Sequence, residues 1–284
     1  MARPRASRLR SSGPLRRAPN PRATAEEHRD VLRLVRGLVD ELDPSGRSAV
    51  LLAGSWARGD AHTASDIDVW VVGRRSQERH RLLGRNGRLV TVKYSTIAQD
   101  RREMRNPARL YGAVPGWRTA KVLRDPKGTA ARLKQEARGF RWERVRRTRD
   151  AYVAGQLAGW AEEVMKLRRA METGERETAS VQRNLLATHL AVLRAMELEL
   201  LWDTENGLWE QTARRAGPAF RAAQRAALGT DGGSWTESCE GALRLYSLTA
   251  RASLPILRGE NRRIVETACR WAGYPIPAGG SGRR

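Results

Sequence analysis

Cysteine is scarce in this chain: Cys239 and Cys269 are its two thiols among 284 residues. Two cysteines cannot build a disulfide scaffold, and neither sits in a metal-ligand spacing, so the chain reads as a reduced, cytoplasmic protein. Histidine is nearly as rare, and His28, His62, His80 and His189 are too scattered to suggest a zinc site. No run of eighteen apolar residues occurs, which argues against a membrane-spanning helix and predicts no membrane partner. The opening stretch, MARPRASRLRSSGPLRRAPNPRATA, lacks both acids and the apolar core of a secretory signal. Residues 1–22 read instead as a disordered basic arm.

Acids are in the minority throughout. Asp and Glu number 31 against 53 Lys and Arg, for a net charge of +22. Residues 1–22 hold seven arginines and no acid, so +15 remains in the rest of the chain. Such a surplus attracts polyanions and leaves room for a nucleic-acid partner. Arginine far outnumbers lysine and alanine and glycine abound, a bias that a gene rich in G+C also produces.

Hydrophobic residues make up 40%, enough for folded cores, and the length accommodates one large domain or two ordinary ones. TAEEHRDVLRLVRGLVDELD opens with a capping box, Thr24 with Glu27, and continues at helical spacing. SAVLLAG and DIDVWVV read as strands, SQERHRLLG as a short helix, RLVTVKYS as a third strand, TIAQDRREM as helical and TAKVLRD as a fourth strand. Beyond Lys127 the text turns helical, almost continuously to Gly174. A second long helix follows over TASVQRNLLATHLAVLRAMELELLW, then two or three shorter ones ending at NRRIVETACRWAGY. The expected fold class is α+β, a small mixed sheet followed by an all-helical bundle. The expected division is 23–126 for the sheet part, 127–274 for the bundle and 275–284 for a disordered tail.

One stretch carries chemistry. In AGSWARGDAHTASDIDVWVV, Asp66 and Asp68 stand at i and i+2 at the head of an apolar strand, so their side chains share a face. Two carboxylates that close repel one another, and a hard divalent cation such as Mg²⁺ relieves the repulsion. Gly54 and Ser55 end the previous strand and begin a helical turn. Glycine there lets backbone approach a phosphate closely, and the turn offers free N–H groups. Together they describe a site for a metal-bound nucleoside triphosphate.

The same residues, GSWARGDAHTASDIDVWVV, resemble the signature of the DNA polymerase β-type nucleotidyltransferase superfamily. Within it they are similar to the minimal nucleotidyltransferases and to the antibiotic nucleotidyltransferases of the kanamycin and lincosamide kind. The resemblance spans about twenty residues. It implies a small mixed sheet with helices, and transfer of a nucleoside monophosphate, commonly AMP from ATP, to a hydroxyl or phosphate with release of pyrophosphate. It places Gly54 and Ser55, with Arg58 and Ser65 of the same signature, at the nucleotide, and Asp66 and Asp68 on Mg²⁺ as catalytic and metal residues.

Many members carry a third carboxylate on a later strand. Here that strand is RLVTVKYS, which holds no acid on either face and turns Lys93 toward the pair. The helix WAEEVMKLRRA is similar to one in the kanamycin-type enzymes with a Glu-x-x-x-Lys pair. That likeness gives Glu162 as the base, Glu163 as its fallback, and Lys166 as a phosphate contact. An i, i+4 Glu–Lys pair equally decorates any solvated helix.

Weaker signals compete. Arg183 and His189 fit a loose R-x5-H ribonuclease spacing but do not share a helix face, so His189 reads as a partly buried structural residue. Trp142, Trp160, Trp202, Trp209 and Trp271 read as helix packing, and Trp56 as a wall of the nucleotide pocket. Glu197, Glu199, Asp203 and Glu205 would form an acidic wall or balance nearby arginines. The acceptor stays open between a small molecule, an antibiotic among them, an RNA end and a protein hydroxyl. So does a nucleotide-binding antitoxin or regulator with weak or lost catalysis, and so does a homodimer.

Overall fold

The computed structural model describes residues 22–73, 79–202 and 204–277. The expected arm, save Arg22, and the tail beyond residue 277 lie outside the described residues, as does Asp203. Arg22 itself forms an isolated bridge with His62, and Ala23 donates its N–H to the Ala61 carbonyl.

Thr24 starts helix α1 (Ala25–Leu42) with the expected capping box. Its hydroxyl accepts the Glu27 N–H and the Glu27 carboxylate accepts the Thr24 N–H. One stripe of α1, Val31, Val35, Leu38 and Leu42, is buried against a five-stranded sheet. The strands are β1 (Ala49–Leu52), β2 (Ile67–Val72), β3 (His80–Arg85), β4 (Arg88–Ser95) and β5 (Lys121–Arg124), in the order β3-β4-β2-β1-β5. Among the described residues only the β2–β4 pair runs parallel, so the sheet is mixed.

Alternation along β2 sorts its side chains between two cores. Ile67, Val69 and Val71 join Val50, Leu52, Val90 and Val92 beneath α1. Asp68, Trp70 and Val72 face the other way. There Trp70 and Val72 meet Leu110, Val114 and Trp117 of α4 (Leu110–Thr119), after the short helices α2 (Gly54–Arg58) and α3 (Ile97–Glu103). Ala130, Leu133 and Ala137 of α5 (Thr129–Arg138) belong to the same core, as does Val145.

The helix expected over SQERHRLLG is not formed: His80–Arg85 is strand β3, and residues 76–78 lie outside the described residues. Asn86 and Gly87 explain the difference. Both take positive φ, +50° and +71°, the left-handed pair that a two-residue hairpin turn demands and that Asn-Gly supplies at least cost. Arg85 then faces Arg88, and Leu83 is carried over Val90 into the core. Cross-strand burial outweighs the local helical pattern.

The remaining chain is helical, as expected: α6 (Arg146–Gly159), α7 (Ala161–Thr173), α8 (Arg176–Glu197), α9 (Glu205–Ala216), α10 (Pro218–Ala227), α11 (Trp235–Ser253) and α12 (Gly259–Trp271). The expected continuous run to Gly174 is broken at Gly139, at a 3-10 turn over Trp142–Val145 and again at Trp160. Among the described residues four helices, not two or three, follow α8. Their core includes Val164, Leu167, Leu186, Leu190 and Leu243, and the buried Tyr246 hydroxyl donates to the Leu157 carbonyl at 2.9 Å. Trp271 is 47% exposed, not packed between helices. The fold class is α+β, a mixed sheet with helices followed by a largely helical region.

Candidate active site

Strand β1 leads into α2 through Ala53, whose N–H donates to the Asp68 carbonyl at 2.8 Å. The next residue, Gly54, adopts φ +63°, and a Cβ built on it would lie 2.0 Å from Asp68 Oδ2. A glycine is therefore required twice over, by conformation and by the carboxylate that sits against its backbone. No side chain caps the start of α2.

Asp68 is half-buried and Asp66 exposed, on the same side of β2. Burial, helped by the Asp66 charge, pushes the Asp68 carboxyl up to about 6, against the opposing pull of the Arg58 guanidinium. Asp68 thus resists carrying its charge without a cation beside it. Arg58 ends α2 and its Nε donates to Asp60 Oδ2 at 3.2 Å. Ser65 is engaged in its own loop, where its hydroxyl accepts the His62 N–H and its carbonyl accepts Trp56 Nε1–H.

Trp56 does not wall a pocket. It is 1% exposed in the core beneath α1, edge-on to His28 with the Arg88 guanidinium over its ring. Nor does Lys93 turn toward the aspartates. Its Nζ bonds Asp100 Oδ1 at 3.1 Å and Glu103 Oε2 at 2.5 Å, with the Trp70 ring beneath it. Burial works to lower the Lys93 value, but the two carboxylates outweigh it and hold the amine charged.

The parallel register sets Asp68 beside Thr91 of β4. The Thr91 hydroxyl donates to Asp66 Oδ2 at 3.3 Å, a partner that spacing within one strand could not reveal. No acid stands on β4, in keeping with the sequence. Among the described residues no group of three or more His, Cys, Asp or Glu gathers for a metal. A pair of carboxylates nonetheless suits Mg²⁺, which takes one or two protein carboxylates and completes its shell with phosphate oxygens and water. The cradle at Gly54 leaves backbone, not a side chain, against Asp68.

Glu162 and Lys166 meet each other on α7, Nζ to Oε1 at 2.7 Å, with side chains 70% and 43% exposed. That bond holds the Lys166 amine above its usual value. Glu163, the more buried acid, lies 3.9 Å from the same amine. The helix packs on α8, α11 and α12. Arg183 bonds Asn184, while His189, exposed and not partly buried as expected, lies tilted against the Trp160 ring and bonds the Leu185 carbonyl, so the two form no joint site. Glu199 pairs with Arg149 at 2.7 Å, and Glu197 bonds Ser253 and Arg194. These two acids balance nearby polar groups.

The arrangement is that of an acidic pair at a strand head, seated against a glycine-started turn on a mixed sheet. Residues 32–112 match the model of the nucleotidyltransferase domain, a span that takes in Gly54, Ser55, both aspartates and Thr91. Over 79% of its length the chain is also similar to the crystal structure of a nucleotidyltransferase-like protein from Exiguobacterium sibiricum. That likeness covers 77% of the other chain, at 15% identity and a TM-score of 0.49. A search of the curated proteins finds no match.

Proposed function

We propose that this chain is a Mg²⁺-dependent nucleotidyltransferase that moves a nucleoside monophosphate, AMP from ATP, onto a hydroxyl of a small molecule. The observation that carries the reading is the seat of Asp68: a half-buried carboxylate, raised to about 6 beside Asp66, pressed against the backbone of Gly54. The match of residues 32–112 to the nucleotidyltransferase domain supports the same reaction class. Asp66 and Asp68 would hold the cation. Gly54 and Ser55 would meet the triphosphate, with Arg58 and Lys166 adding positive charge and Ser65 shaping the loop. The cation, when bound, supplies neutralisation of charge on the phosphates. In the transfer, the acceptor oxygen forms a bond to the α-phosphorus as the bond to the β-phosphate oxygen breaks, and pyrophosphate leaves. The hydroxyl proton passes to a base, for which Glu162 is proposed. A net basic protein repels polycationic aminoglycosides, so a neutral antibiotic of the lincosamide kind is the first acceptor to try.

One observation favours a second reading. Thr91 occupies the β4 position beside Asp68, and β4 holds no acid, which suits a nucleotide-binding regulator with weak or lost catalysis. ATP labelled at the α-phosphate, incubated with Mg²⁺ and a panel of hydroxyl acceptors, separates the two. The transferase reading expects label on an acceptor, reduced about a hundredfold or more by Asp66→Asn or Asp68→Asn. A smaller but clear fall in kcat is expected for Glu162→Gln. Mg²⁺-dependent ATP binding with no transfer to any acceptor would replace the enzyme by the regulator.

A further inference from the structure

A cavity of about 1210 Å³ opens between the end of α3, α5, the 3-10 turn and the start of α6. It lies apart from the aspartates. Asp66 and Asp68 head β2, whereas α3 leaves β4 just past Ser95, which pairs with Val72 at the far end of β2. Met104 and Val145, each 6% exposed, and Phe140 give it an apolar floor.

Its walls are guanidinium groups. Arg101 is held by Glu136, with Nη2 to Oε1 at 2.6 Å and Nε to both oxygens at 3.0 Å, which consumes the acid that lines the cavity. Arg105 comes from the turn after α3, Arg132 from α5 and Arg144 from the 3-10 turn, and among the described residues no carboxylate forms an ion pair with any of them. The surrounding charge is equally lopsided. Residues 97–149 hold sixteen Lys and Arg against five Asp and Glu, a net +11, half the surplus of the whole chain. Arg102, Arg141 and Arg147, close in sequence to the lining residues, are exposed as well.

The volume exceeds the roughly 300–1,000 Å³ of ordinary small-molecule sites, and the positive charge runs on beyond it. A single phosphate would leave most of these groups unmatched. A phosphodiester strand would meet several: planar guanidinium groups pair with phosphate oxygens, and an apolar floor accepts unstacked bases. We propose that this cavity binds single-stranded nucleic acid, with Arg105, Arg132 and Arg144 on phosphates and Met104, Phe140 and Val145 beneath the bases. The inference stands independently of nucleotide transfer at Asp66 and Asp68.

The test is fluorescence anisotropy of a labelled single-stranded RNA of about 16 nucleotides, titrated with full-length protein over a range of salt. Binding should weaken steeply with salt. The triple variant Arg105→Ala, Arg132→Ala, Arg144→Ala should bind about tenfold or more weakly at low salt. Its log–log salt slope should be shallower by about 2, near 0.7 for each lost phosphate contact. A control triple, Arg215→Ala, Arg221→Ala, Arg244→Ala, removes equal charge from α9, α10 and α11 and should bind nearly as wild type does. Equal weakening by both triples would overturn the proposal in favour of diffuse attraction. Competition by polyglutamate as effective as unlabelled RNA would overturn it in favour of an acidic protein partner. Melting curves matching wild type establish that the variants are folded, as exposed arginines allow. Transfer of AMP to a small acceptor by the cavity variant would leave the transferase reading untouched, so the two fail separately.

Discussion

At Gly54 a single hydrogen atom decides whether Asp68 can occupy its place. Any other residue there would bring a Cβ to 2.0 Å from Asp68 Oδ2, and would also have to adopt φ +63°. Gly54→Ala therefore combines backbone strain with expulsion of the carboxylate. Strain alone accounts for about 1–3 kcal/mol. The variant is expected to unfold at lower temperature and to lose the thermal stabilisation that the proposed function expects Mg²⁺ with ATP to give the wild type. Calorimetry with and without Mg²⁺ and ATP reads both effects. A variant that melts lower yet keeps its full nucleotide response would show that the close approach serves stability and not the site. Asp68 carries the complementary lesson. Its sequence spacing places it beside Asp66, but its burial, its raised carboxyl and its seat on glycine arise from β1 and α2 folding back over the strand head.

Between elements, the buried carboxylate of Asp43 joins three pieces of chain. The Asp43 backbone N–H caps the C-terminus of α1 on the Val39 carbonyl, while the carboxylate accepts the Ser45 hydroxyl at 2.6 Å and the Ser48 N–H at 2.7 Å ahead of β1 and pairs with Arg124 of β5 at 2.8 Å. Burial works to raise its value, yet the Ser45 and Ser48 bonds and the Arg124 charge prevail and hold it below the usual carboxylate range. A folded value below the unfolded one contributes stability that is complete above about pH 4 and fades as pH falls through the folded value. Asp43→Asn should therefore cost about 2 kcal/mol at neutral pH, moderated because the Arg124 side chain keeps 22% of its surface. The difference from wild type should shrink below pH 4. Denaturant unfolding at a series of pH values measures it, and a gap that is constant with pH would remove the charge from the account. Bonds of this kind mark the limit of what the sequence discloses. The capping box, β1, β2 and β4 were legible because each rests on spacing within its own segment. Strand β3 was missed because its helical-looking text is overruled by Asn86 and Gly87, a two-residue signal that lies outside it. The Asp66–Asp68 pair was legible for the same local reason, whereas Thr91 depends on the register of two distant strands, and the tether of Lys93 on how α3 folds back against β4.

Across the whole molecule, two apolar cores on the sheet and one among the helices meet at few places. Tyr111 of α4 packs against the second sheet core, the helical core and the small cluster around Trp202. Its ring stacks on Trp202 with centroids 4.0 Å apart, and the Trp202 N–H donates to the Tyr111 carbonyl at 3.3 Å. Arg149 of α6 adds its bond to Glu199 nearby in sequence to that tryptophan. Trp202 is 3% exposed, so its truncation leaves a large void and costs about 3–5 kcal/mol. That loss falls on the joint between the sheet and the helices, while Leu51, Val69 and Trp117 on one side and Leu190, Leu243 and Tyr246 on the other keep their own neighbours. Trp202→Ala is therefore expected to divide one thermal transition into two, one for the sheet with α1, α4 and α5 and one for α7 to α12. Amide hydrogen exchange of β1 and β2, set against that of α8 and α11 along the melt, distinguishes the steps. A single transition displaced to lower temperature would mean that the two parts are coupled through contacts other than Tyr111 and Trp202. If the acceptor enters between them, as a base on α7 requires, the same variant should raise KM for the acceptor more than it raises KM for ATP.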